Sequence, residues 1–167
     1  KNRRDGMTEA EQQVELERDL TDATLITIGD MQVIEGRIRA IRALDRLPQT
    51  DDTRALAVDL HLDIRSALLP LGEFGRMLER LRAGERLAVA LGDRRRLGRI
   101  WAYLTDYFRQ VGDFEQALEV GRRGLAAAEV EGDLGILLAT NIYLGHVYYD
   151  TGQYGRAIAH LRRNVAT

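Results

Sequence analysis

The chain has 167 residues, of which 45% are hydrophobic and 30% charged, the balance of a folding polypeptide rather than of a disordered one. Its 24 basic residues against 26 acidic ones leave a net charge of -2, which argues against nucleic acid or an anionic membrane surface as a partner, since both need a large basic excess. With no Cys there are no disulfides, thiolate metal sites or Cys nucleophiles.

In chain order, Thr8 and Glu11 have the spacing of a capping box for a helix running to about Ile28, although the β-branched run "TLIT" at 24–27 is a poor helix former. Met31 to Leu47 reads as an amphipathic helix through Ile34, Ile38, Ile41 and Leu44, ended by "LPQTDD". From there the text repeats. "LGEF" at 71–74, "VGDF" at 111–114 and "TGQY" at 151–154 place Gly72, Gly112 and Gly152 forty residues apart, and Gly92 and Gly132 keep the same interval. Aligning residues 54–93 with 94–133 gives ten identities, where composition alone predicts roughly three.

Each unit of forty reads as two helices separated by Gly turns. The first helices are Thr53 to Leu69, Arg95 to Val111 and Leu134 to Thr151; the second are Phe74 to Leu91, Glu115 to Glu131 and Gly155 onward. Ile100, Leu104, Tyr107, Phe108 and Val111 recur at steps of three and four, the helical period. Each turn Gly falls where a helix C-terminus needs a left-handed residue, and Asp113 and Asp133 follow it as caps for the next helix. One such hairpin cannot bury both of its faces, so units of this kind stack. The expected division is an N-terminal hairpin over 1–52, where "IGDM" at 28–31 echoes the turn as a degenerate repeat would, then repeats over 53–93, 94–133 and 134–167.

These residues resemble the tetratricopeptide (TPR) repeat family. The middle unit supplies Trp101, Phe108, Gly112, Asp113, Phe114, Ala117 and Gly124, and the third supplies Gly145, Tyr148, Gly152, Tyr154 and Ala157. In the first unit Leu68, Gly72, Phe74 and Gly84 fit, whereas His61, Arg65 and Met77 depart from the pattern. The resemblance implies an all-α fold, a right-handed superhelical stack of antiparallel helix hairpins. The period of forty is like that of the longer repeats of bacterial signalling proteins. The segments "ALLPLGEFGRMLERL" and "ALGDRRRLGR" are similar to the C-terminal helical region of bacterial proteins that carry a class III nucleotide cyclase domain and an ATPase module. This implies a cytoplasmic fragment holding neither catalytic module.

The residues themselves offer no catalytic constellation. Ser66 is the only Ser and falls mid-helix, away from any sharp turn that would expose it as a nucleophile. His61, His146 and His160 lack metal-ligand spacing, though His146 and His160 fall in successive helices of one unit. No Gly-Lys-Ser/Thr loop exists for phosphates. The run Arg94 to Arg96 reads as a solvated face offset by Asp93 and Glu85. No catalytic residue, metal ligand or cofactor is assigned.

In TPR-like stacks the first helices line the concave groove. Carried over position by position, the resemblance gives three columns: Asp63, Tyr103 and Tyr143; Ser66, Asp106 and His146; Leu69, Arg109 and Tyr149. Asp59 and Arg99 stand one turn earlier. Tyr with Arg and carboxylates suits a protein interface, although Tyr103 and Tyr143 could equally pack against the neighbouring unit. The expected function is a non-catalytic scaffold for a protein or peptide. Two alternatives stand beside it: an oligomerisation element pairing through exposed solenoid ends, where Tyr154, Ile158 and Leu161 would have no covering unit, and a small-molecule sensor like the superhelical domains of ATPase-linked transcription regulators.

Overall fold

The computed structural model describes residues 31–165, together with Thr8, Glu11 and Gly29. Every regular element among them is an α-helix: α1 (residues 31–44), α2 (Asp51–Leu68), α3 (Phe74–Leu91), α4 (Arg94–Gln110), α5 (Phe114–Glu131), α6 (Leu134–Asp150) and α7 (Tyr154–Arg163). The boundaries follow from cap chemistry. Thr50, Asp93, Asp113 and Asp133 each accept a hydrogen bond from the backbone N–H three residues on, at 2.9–3.3 Å, satisfying a donor the first helical turn leaves open. Gly72, Gly92, Gly112, Gly132 and Gly152 all have positive φ, between 64° and 80°. The residue after each Gly donates to the carbonyl five positions earlier, at 2.7–3.2 Å, which closes the helix end. The expected helices therefore appear with ends moved by two residues at most, except that α1 stops at residue 44, ahead of Pro48, rather than at Leu47.

Thr8 and Glu11 form the expected capping box. The Thr8 backbone N–H and hydroxyl donate to Glu11 Oε2 at 2.8 Å, and the Glu11 N–H donates to Thr8 Oγ1 at 3.4 Å. The helix expected from there to Ile28, and the "TLIT" run, lie outside the described residues.

Packing is between neighbours. Among the described residues each helix from α2 to α7 lies against the next, most extensively in the pairs α2–α3, α4–α5 and α6–α7, and the alternate pairs α2–α4 and α4–α6 pack as well. The core is nevertheless continuous. It runs from Ile34 and Ile41 through Val58, Ile64, Leu81, Ile100 and Leu104 to Val147. Small residues set the close approaches. A Cβ at Gly121 would fall 2.9 Å from Leu144 Cγ and 3.2 Å from Thr105 Cγ2, so α5 meets α6 where Leu144 occupies the place of a side chain. Gly121→Val is expected to destabilise the chain by about 2–3 kcal/mol through overpacking, read as a lower urea midpoint; an unchanged midpoint would mean that Leu144 moves aside without strain.

Two of the residues that depart from the repeat pattern in the first unit are buried. Met77 is 1% exposed and His61 5%. His61 stands where the next units have Trp101 and Asn141. Trp101 Nε1 donates to Glu85 at 2.9 Å, and Asn141 Oδ1 lies 3.0 Å from His160 Nδ1. His61 Nδ1, by contrast, is buried without a hydrogen-bond partner.

Candidate functional site

A cleft of about 610 Å³ crosses α2, α4 and α6. It gathers Asp59 and Asp63 from α2 with Arg99 and Tyr103 from α4, four of the residues expected in the groove. Its other side is made of Gly135, Ile136 and Ala139 at the start of α6. In the forty-residue register Ala139 stands where α4 has Arg99 and α2 has Asp59, so along α6 itself the cleft is lined by small and apolar residues, with Asp133 at its N-terminus.

In the run at the start of α4, Arg94 and Arg95 are exposed and Asp93 offsets Arg96 as expected, while Arg95 and Arg96 also line this cleft. Arg96 reaches both oxygens of Asp59, Nε to Oδ1 at 3.0 Å and Nη2 to Oδ2 at 2.7 Å, and donates from Nη1 to Asp93 at 2.6 Å. Arg95 Nε donates to Asp133 at 2.6 Å. Glu85 takes no part; it accepts instead from Arg82 at 2.6 Å and from Trp101. Burial works to raise the Asp93 carboxyl, but hydrogen bonds from the Arg96 backbone and guanidinium outweigh it and hold the group below the ordinary carboxylate value. The Ile136 backbone N–H, aided by Arg95, holds Asp133 low against a smaller effect of burial. Both caps are thus ionised and engaged. Arg99 is less committed. Its side chain is 40% exposed and its ion pair to Asp59 is 3.7 Å long and shares a carboxylate that Arg96 already holds. The Asp63 side chain is 49% exposed and meets Arg37 at 3.4 Å. Among the described residues, the cleft therefore offers a partner Arg99, Asp63 and the Tyr103 ring.

Behind the cleft is a chain of ion pairs that the sequence reading did not foresee. Arg65 Nη2 donates to Asp106 at 2.6 Å, Arg109 donates to Asp106 at 3.2 Å and to Asp150 at 3.0 Å. The Arg65 guanidinium also lies 4.4 Å from the Tyr103 ring centre and 5.9 Å from that of Tyr143. One side chain of α2 thus touches α4 and α6 together. Asp106, expected to face a partner, is only 5% exposed, and its two oxygens are taken by arginines. Arg109 is committed as well. Burial raises the Tyr143 hydroxyl above its ordinary value despite the nearby Arg65. Arg65 had stood out only as a departure from the repeat, since Thr105 and Gly145 occupy its register in the next units.

The remaining expected residues lie elsewhere. Ser66 is exposed and donates to the Asp63 carbonyl of its own helix at 2.8 Å. Leu69 is half-buried. His146 and Tyr149 line a second cavity, between α6 and α7. His160 is not joined to His146; it pairs with Asn141 and stacks on Tyr148 at 5.3 Å. Among the described residues no group of three or more His, Asp or Glu could hold a metal ion, and no helix is long and apolar enough to cross a membrane. No protein-family model, curated protein or solved structure matches the chain.

Proposed function

We propose that the chain is a non-catalytic TPR-like scaffold that binds a protein or peptide in its concave face. On this reading it is a right-handed superhelical stack of antiparallel hairpins, with units over 53–93, 94–133 and 134–167 and a degenerate one over 1–52. Packing that, among the described residues, is mainly between adjacent and alternate helices, with a left-handed Gly every twenty residues from 72 to 152, supports the stack. The observation that carries the binding role is the cleft across the three first helices. It is long enough to cross α2, α4 and α6, and it keeps Asp63, Arg99 and Tyr103 available while its other charges are satisfied internally. The resemblance of two segments to the helical region of bacterial cyclase and ATPase proteins supports reading it as the regulatory arm of a larger cytoplasmic signalling protein.

A photo-crosslinking amino acid at Tyr103 tests the reading. It is expected to trap a partner through the cleft, and Asp63→Arg with Arg99→Glu is expected to weaken binding of that purified partner by about tenfold or more. Helix content and melting should stay unchanged, because both residues are exposed and weakly paired. Crosslinks confined to the chain itself, or binding that survives the double substitution, would overturn the proposed role of the cleft.

A further inference from the structure

Inside the cleft, most of the charge is spent on internal bonds. Both oxygens of Asp59 are taken by Arg96, and Asp93 accepts from the backbone N–H and the guanidinium of the same residue. Asp133 accepts from the Ile136 N–H at 3.0 Å and from Arg95 at 2.6 Å. Arg99 is different. Its Nη1 stands 3.7 Å from Asp59 Oδ1, beyond hydrogen-bond length, and its guanidinium makes no hydrogen bond among the described residues. A guanidinium fork fits a carboxylate through two parallel bonds, and here the fork is open while Asp59, Asp93 and Asp133 are held by other donors. Arg95 is no equivalent, because it is bonded to Asp133 and 73% exposed, where an added carboxylate gains little.

Asp63 is the matching open acceptor. Its Oδ2 accepts from Arg37 at 3.4 Å, and its Oδ1 accepts nothing among the described residues. A long ion pair between two partly exposed side chains exchanges at little cost. Asp63 lies one helical turn beyond Asp59, about 6 Å along α2, and Asp59 is the residue that Arg99 approaches. That step is close to the about 7 Å between residues i and i+2 of an extended chain, whose side chains point to the same side. The cleft volume of about 610 Å³ suits a few residues of such a chain.

We propose that the cleft selects an extended internal segment of a partner protein with mixed charge: an Asp or Glu on Arg99 and, two residues away, a Lys or Arg on Asp63. The segment is internal because Arg99 stands on α4, the middle of the three helices, so a chain that lies across all three continues past it on both sides. The small residues Gly135 and Ala139 leave room for it along α6. The inference rests on the cleft being the binding surface and names the chemistry that it selects.

The probe is a random heptapeptide library, displayed with chain continuing on both sides and selected on the immobilised full chain. Enriched peptides are expected to crosslink to a photoreactive residue at Tyr103 and to carry an acid two residues from a base. In a synthetic copy with both ends blocked, replacing the acid by Gln should weaken binding about tenfold. Arg99→Glu should do the same and recover when the peptide acid becomes Lys; Asp63→Arg should recover when the peptide base becomes Glu. Arg99→Gln, which adds no charge beside Asp59, should lose the preference for an acid in the same way. Peptides that crosslink at Tyr103 but lack the charge pair, or that bind Arg99→Glu and Arg99→Gln undiminished, overturn the inference and leave the cleft as the binding surface. Recovery of binding by a free C-terminal carboxylate in place of the acidic side chain overturns the internal segment. A library that enriches nothing, or only peptides crosslinking elsewhere, overturns the cleft itself and the inference with it.

Discussion

Asp106→Ala is expected to lower the stability of the chain by about 3 kcal/mol, the order found when one partner of a buried ion pair is removed. For a chain of this length that is a fall of about 10 °C in the melting midpoint. The expectation rests on burial: the Asp106 side chain is 7% exposed and that of Arg65 13%, and Arg65 Nε has no partner even in the intact network. Without Asp106 the Arg65 guanidinium loses its carboxylate and is left against Tyr103 and Tyr143. Arg109 retains Asp150 and suffers less. The pair itself need not be a net gain, because desolvating both charges offsets much of their attraction. Arg65→Met with Asp106→Leu is therefore expected to recover most of the loss. Thermal and urea unfolding of the two variants decide the matter: equal destabilisation of single and double would show that shape, not an orphaned charge, governs the site.

Acid is expected to destabilise the fold in a window set by His61. Burial, assisted by Arg80 and Arg86 against Asp45 and Glu79, lowers its pKa from 6.5 to about 4. The unfolded chain therefore binds a proton at a higher pH than the folded one. The contribution of neutral His61 is complete above pH 6.5 and is lost progressively as the pH falls toward 4. At about 1.4 kcal/mol per unit of separation the loss approaches roughly 3 kcal/mol. Asp93 and Asp133, whose carboxyls are held low, add a loss in the same direction only at greater acidity, as the pH falls below the ordinary 3.8. His61→Leu should keep stability at neutral pH within about 1 kcal/mol and reduce the slope between pH 6.5 and 4, the remainder belonging to His160, whose pKa burial also lowers. A His61→Leu chain with the original slope would place the sensitivity in another group.

Whatever depends on local chemistry could be read directly from the sequence. A Gly with a left-handed φ and an Asp that caps the next helix act over four or five residues, so Gly112-Asp113 and Gly132-Asp133 located helix ends without any tertiary information. The forty-residue register then brought Asp59, Asp63, Arg99 and Tyr103 together, because equivalent helices present equivalent positions. Long charged side chains were not legible in this way. Arg65 looked like an error in the pattern and is the residue that joins three helices. Arg96 passed over the near Glu85 for the distant Asp59, and Asp106 turned inward to two arginines. Where a flexible arm of several bonds ends is decided by which opposite charge the packed fold leaves within reach, and neither spacing nor composition encodes that.

The restriction of packing to adjacent and alternate helices has a consequence for how the chain reaches its structure. Among the described residues the packed pairs of α2 to α7 are adjacent or alternate helices, with Arg65 reaching further, from α2 to Tyr143 of α6, so most of the loops that must close are short and the contact order is low, which favours fast folding. The packed pair α2–α3 is complete as soon as residue 91 has been made, well before Arg109 and Asp150 exist to complete the ion-pair chain. Folding can thus follow synthesis from one end, with the Arg65–Asp106–Arg109–Asp150 connection closing last, as a latch across helices already in place.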